Sequence, residues 1–180
     1  MLTRKIDMER LTLVSSKPFD AVVSVVEQSI GRPDIAEIGR AASDSISFSE
    51  FERTVSRGVS ALGLMLFMKL DVGAVLRKES GLSSPRAVRF LIGNPLIMKE
   101  MAKHVPEAAS YAPITLLVDE RSDGVQVMTR WQVSLRLSHG EHWLEVTPAL
   151  QPPTANACEM ARWASSWICR RCCALRKLSA

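Results

Sequence analysis

Lys69, Asp71 and Asn94 are the residues whose types could act together on a ligand. Lys69 and Asp71 close an apolar stretch that begins at Leu62 and reads as a strand, and Asn94 follows another strand. Both strands are expected to end on one side of a sheet, a common place for small-ligand sites. There the lysine would hold an anionic group, with a carboxylate and an amide donor beside it. Tyr111, the only tyrosine, completes this candidate ligand-binding set. The competing reading is structural, because Asp and Asn are strong helix N-caps and a tyrosine hydroxyl can simply find a backbone partner.

The remaining chemistry-bearing residues carry less. Cys169-x-x-Cys172 with His139 and His142 upstream superficially suits a zinc or redox site, but structural zinc needs two well-spaced pairs on a rigid frame, so no metal is expected. Met160 to Leu178, with Trp163 and Trp167 among basic residues, imitates a membrane-surface helix without the organisation of one. His104 reads as a helix-end residue, and Met65, Met68, Met98 and Met101 read as core filler. The sequence contains no nucleophile elbow, phosphate loop, metalloprotease helix or dinucleotide fingerprint, which weighs against an enzyme. No catalytic residue and no cofactor are expected.

Composition sets the frame for these readings. The chain of 180 residues is 47% hydrophobic and 23% charged, as expected of one soluble domain. Its formal charge of +4 is unevenly placed: residues 1–127 hold 16 basic and 16 acidic residues, and residues 128–180 hold 7 and 3. A nucleic-acid binder concentrates its positive charge on a folded face, so no nucleic-acid partner is expected. The N-terminus meets acidic residues before any signal-length apolar core, and the longest apolar run, Val59 to Met68, is about half of a bilayer crossing. A cytoplasmic protein with no membrane partner is the expectation. All four cysteines and all four tryptophans lie beyond residue 130, which sets the tail apart.

The elements that must position the candidate residues are legible from periodicity and punctuation. Residues 8–15 suit a half-buried strand. Pro18 starts a helix with Phe19, Val22, Val23, Val26 and Ile30 on one stripe, ended by Gly31. A short helix over 33–42 follows. Ser47 and Glu50 then form a capping-box pattern ahead of a helix from about 48 to 60. The stretch from Leu62 to Leu70 is read as a buried central strand. Asp71 caps a helix over 72–79 that Gly81 terminates, residues 86–92 form a strand, and Gly93-Asn94-Pro95 opens a helix over 95–104. A strand over 112–120, a turn at Arg121-Ser122-Asp123-Gly124 and a strand from Val125 complete an α+β pattern. Four or five strands in a small antiparallel-rich sheet, with helices packed on one face, are expected over 1–127, and 128–180 are expected to be an irregular tail.

The segments Phe67-Met-Lys-Leu-Asp71, Phe90-Leu-Ile-Gly-Asn-Pro95 and Pro106-Glu-Ala-Ala-Ser-Tyr111-Ala-Pro113, followed by an apolar strand and an Asp-Gly turn, resemble the bacterial and archaeal family called domain of unknown function 302. The resemblance covers roughly residues 10 to 127. It implies a sheet resembling that of TATA-binding protein, without DNA binding, and a tendency to form homodimers. Two departures are the extra helices before Leu62 and Val72 in place of a histidine that many members carry. The resemblance also implies a different ending, which is recoverable from Val127 to Arg136 by reading the codons one base earlier. A frameshifted C-terminus from about residue 126 is therefore expected. The function expected from all of this is a non-catalytic, dimeric module binding a small ligand or a protein. The alternative is a small enzyme with a sheet-end pocket around Lys69, Asp71 and Asn94.

Overall fold

The computed structural model describes residues 8–44, 46–83, 85–103, 106–132, 136–139 and 142–145, of which Met8, Glu9, Ala108, Tyr111 and positions from 130 onward are described by their backbone alone. The chain opens with strand β1 (Met8–Ser15) and helices α1 (Phe19–Ser29), α2 (Ile35–Ser43) and α3 (Phe48–Gly58). It continues through β2 (Met65–Asp71), α4 (Val72–Ser80), β3 (Ala87–Gly93) and α5 (Pro95–Ala102). A 3-10 turn over Pro106–Tyr111 leads into β4 (Ile114–Arg121) and β5 (Gly124–Gln132), and a separate hairpin joins β6 (Arg136–His139) to β7 (His142–Glu145).

Strands β2 to β5 form an antiparallel meander, and β1 adds beside β5, giving the order β1-β5-β4-β3-β2. The fold is α+β, as the periodicity predicts. Strand alternation sends Val88, Phe90 and Ile92 of β3, Leu116 and Val118 of β4, and Val125 and Val127 of β5 to one face, where all are buried. The stripe of α1, Phe19, Val22, Val23 and Val26, closes on that face together with Met101 of α5. At roughly 25 cal/mol for each Å² of apolar surface removed from water, this layer supplies the main drive to fold.

The extra helices build a second, smaller cluster. Ile38 of α2 and Val55 of α3 meet Met65 at the start of β2, with Phe67 and Leu96 alongside. Gly31 ties this unit to the sheet: its N–H donates to Leu64 O (3.0 Å), and its carbonyl accepts from Leu66 N–H (2.8 Å). A β-carbon on Gly31 would run into the Gly58 carbonyl oxygen and lie 2.8 Å from the Ser60 nitrogen, so only glycine lets the backbones approach this closely.

One sequence expectation changes here. The stretch expected to be a buried central strand starts at Met65 and lies at the sheet edge, with Met68 49% exposed. Its apolar residues serve different neighbours: Leu64 joins the main core, Met65 and Phe67 pack under α2 and α3, and a bulge between Leu66 and Met68 turns the following side chains to the opposite face. Strand β5 runs to Gln132 and pairs along its length with β1.

Candidate functional site

Asp71 ends β2 and caps α4. Its Oδ1 accepts from Ala74 N–H at 2.9 Å and its Oδ2 from the Arg77 guanidinium at 2.7 Å. The hydrogen bond from Arg77 holds its carboxyl below the usual aspartate range. Arg77 also donates to Pro85 O at 3.3 Å, so the pair secures the entry and exit of α4.

Asn94 does the same for α5. Its Oδ1 accepts from Leu96 N–H at 2.9 Å, and its Nδ2 donates to Gly63 O at 2.9 Å, which fastens the turn before β2. Pro95 occupies the first helical position, as the Gly-Asn-Pro step predicts. Both polar ends of this side chain are therefore committed to the backbone.

Antiparallel pairing separates these residues. Asp71 lies opposite Val88 at the start of β3, whereas Asn94 follows Gly93 at its end, opposite Met65. Six residues at about 3.3 Å each put them roughly 20 Å apart. Lys69, two residues before Asp71, donates to Glu27 of α1 at 2.7 Å and lies 6.0 Å from the Phe90 ring centroid. The hydrogen bond from Lys69, more than the nearby Arg32, holds the Glu27 carboxyl below its ordinary range. Tyr111 closes the 3-10 turn ahead of β4, at the Asn94 end; its side chain lies outside the described residues. Lys69, Asp71 and Asn94 thus occupy two ends of the sheet, and a pocket built from all three does not form.

The sequence reading missed the open face of the sheet. On the side away from α1, β-pairing aligns Thr12, Met128, Leu117, Arg89 and Leu70 in one row across all five strands. Thr115, Leu91 and Met68 form the next row. Leu70, Leu91, Leu117 and Met128 are only half-buried, Val14 is 58% exposed, and Phe90 and Val118 on the covered face are 0% exposed. The signal in the sequence is sparse, since the open-face positions of β3 and β4 hold Leu91 and Leu117 among Arg89, Thr115, Asp119 and Arg121.

Among the described residues no group of three or more His, Cys, Asp and Glu could hold a metal ion. His139 and His142 face each other in the β6–β7 register, while Cys169 and Cys172 lie outside the described residues, as do His104, Cys158, Cys173, Trp163 and Trp167. No helix among the described residues is long and apolar enough to cross a membrane.

An antiparallel sheet with helices on one face and a partly apolar open face on the other defines a small α+β domain. The family model described as Domain of unknown function DUF302 matches residues 39–146, more than half of the chain, and the protein belongs to that family. Among solved structures the chain is similar to the crystal structure of an uncharacterized conserved protein DUF302 from Bacillus stearothermophilus. That likeness has 13% identity, covers 67% of this chain and 71% of that chain, and has a TM-score of 0.42. No curated protein matches significantly.

Proposed function

We propose that this DUF302 domain is a non-catalytic, dimeric binding module whose open sheet face receives its ligand or protein partner. The observation that carries this reading is the contrast between the two faces of one sheet. The covered face holds Phe90, Ile92, Val118 and Val127 at 0–1% exposure, while Leu117 and Met128 in the middle of the other are only partly buried. A folded protein that leaves a contiguous apolar patch in water commonly uses it for binding. Strands about 4.8 Å apart and about seven residues long give the five-stranded face a projected area of roughly 550 Å². That approaches the ~800 Å² per partner of a standard interface. Arg10, Arg89 and Thr115 lie exposed among the apolar residues and would supply orientation.

An apolar fluorescent dye, anilinonaphthalene sulfonate, tests the reading. The native protein is expected to enhance its emission, and Leu117→Lys to remove most of that enhancement while shifting stability by no more than about 0.5 kcal/mol. Unchanged dye binding in the variant would refute the assignment of this face.

A further inference from the structure

The two edges of the sheet are treated differently. At β2 the backbone of Gly31 occupies the outer side of the first residues, a bulge breaks the register, and Lys69 interrupts the apolar run. These are the usual guards against unwanted strand pairing. Among the described residues, none of them is present at β1. Its eight residues contain no proline or glycine, and its register with β5 runs unbroken from Met8↔Gln132 to Ser15↔Val125. Among the described residues β5 is its only neighbour. Alternate residues of an antiparallel strand direct their N–H and C=O to opposite sides, so about half of the β1 peptide groups face away from β5. Leu11-Thr12-Leu13-Val14 is also good strand-forming sequence.

We infer that two copies of this chain join along β1, antiparallel and edge to edge, so that two five-stranded sheets continue as one. This rests on the dimeric reading above and names its contact. Charge selects the direction. The charged residues of β1, Glu9 and Arg10, sit near its N-terminal end. Antiparallel pairing sets Arg10 beside the Thr12 to Val14 stretch of the mate, whereas parallel pairing would stack Arg10 on Arg10. A twofold axis through the middle of β1 makes the contact self-complementary. Registers that keep Leu11 and Leu13 on the covered face in both copies also keep both open faces on one side. The binding surface then doubles in width.

Sedimentation equilibrium on the full chain and two variants tests this. Thr12 is exposed near the middle of β1, and Thr115 is exposed on the open face of β4, two strands inward. In Thr12→Lys the new charge meets its own copy on the twofold axis, or the mate's Arg10 at two symmetry-related places, so dimer affinity is expected to fall about tenfold or more. Thr115→Lys is expected to leave the dimer intact, and circular dichroism checks that both variants fold. In the unmodified chain, hydrogen exchange of β1 amides should slow as protein concentration rises. A dimer insensitive to Thr12→Lys, or broken only by Thr115→Lys, overturns the edge contact while leaving the dimeric reading in place. A wild-type chain that stays monomeric at every concentration overturns both.

Discussion

Lys69 of β2 donates to Glu27 of α1 across 2.7 Å, joining a sheet edge to the helix that covers the core. The Glu27 side chain is 21% exposed and also lies 3.2 Å from Arg32. Its carboxyl is held below its ordinary value of 4.5, first by the Lys69 hydrogen bond. A carboxylate lowered on folding stabilises the native state above its unfolded value, and that contribution is lost as pH falls through the folded one. Urea unfolding midpoints should therefore fall as pH drops below about 4.5. Glu27→Gln should flatten that dependence and cost about 1 kcal/mol at neutral pH. An unchanged acid limb in the variant would show that this pair does not contribute.

Gly31→Ala places a methyl group against the carbonyl of Gly58 and the backbone of Val59 and Ser60, none of which can rotate away. A loss of about 2–3 kcal/mol is expected. Because Gly31 links α1 to β2, proteolysis within residues 32–60 should accelerate in the variant. Equal cleavage rates would show that the second cluster is held by other means.

Asn94→Ala removes a part-buried side chain with two backbone partners, the Leu96 N–H and the Gly63 carbonyl. Asp71→Ala removes an exposed cap with one backbone donor and Arg77. The Asn94 variant is expected to lose about 2 kcal/mol, and the Asp71 variant about 1 kcal/mol or less. Thermal unfolding of the two, compared directly, checks the order.

Ending the chain after Val127 removes Thr129, which is 6% exposed and donates to Thr115 O at 2.8 Å, and deletes the pairing of Met8 to Thr12 with β5. Ending it after Gln132 keeps that ladder. The longer truncation product should melt well above the shorter one, because buried positions of the main core run through Val127 and the strand that supports them through Gln132. Equal melting temperatures would mean that the late part of β5 adds no stability.

Local chemistry made many elements readable from the chain alone. The apolar stripe of α1, the capping box in which Ser47 N–H donates to Glu50 at 2.9 Å, and the caps at Asp71 and Asn94 depend on residues a few positions apart. Gly81 at φ 70° and Gly124 at φ 131° end a helix and a hairpin turn where only glycine adopts the backbone easily. Apart from the β4–β5 hairpin, tertiary structure alone decided which strands became neighbours. The apolar run before Asp71 went to an edge, β1 closed against β5 more than a hundred residues later, and antiparallel pairing carried Asp71 and Asn94 to opposite ends. Side-chain alternation reports which face a residue occupies, but pairing order is set by long-range hydrogen bonding and burial, which no local window contains.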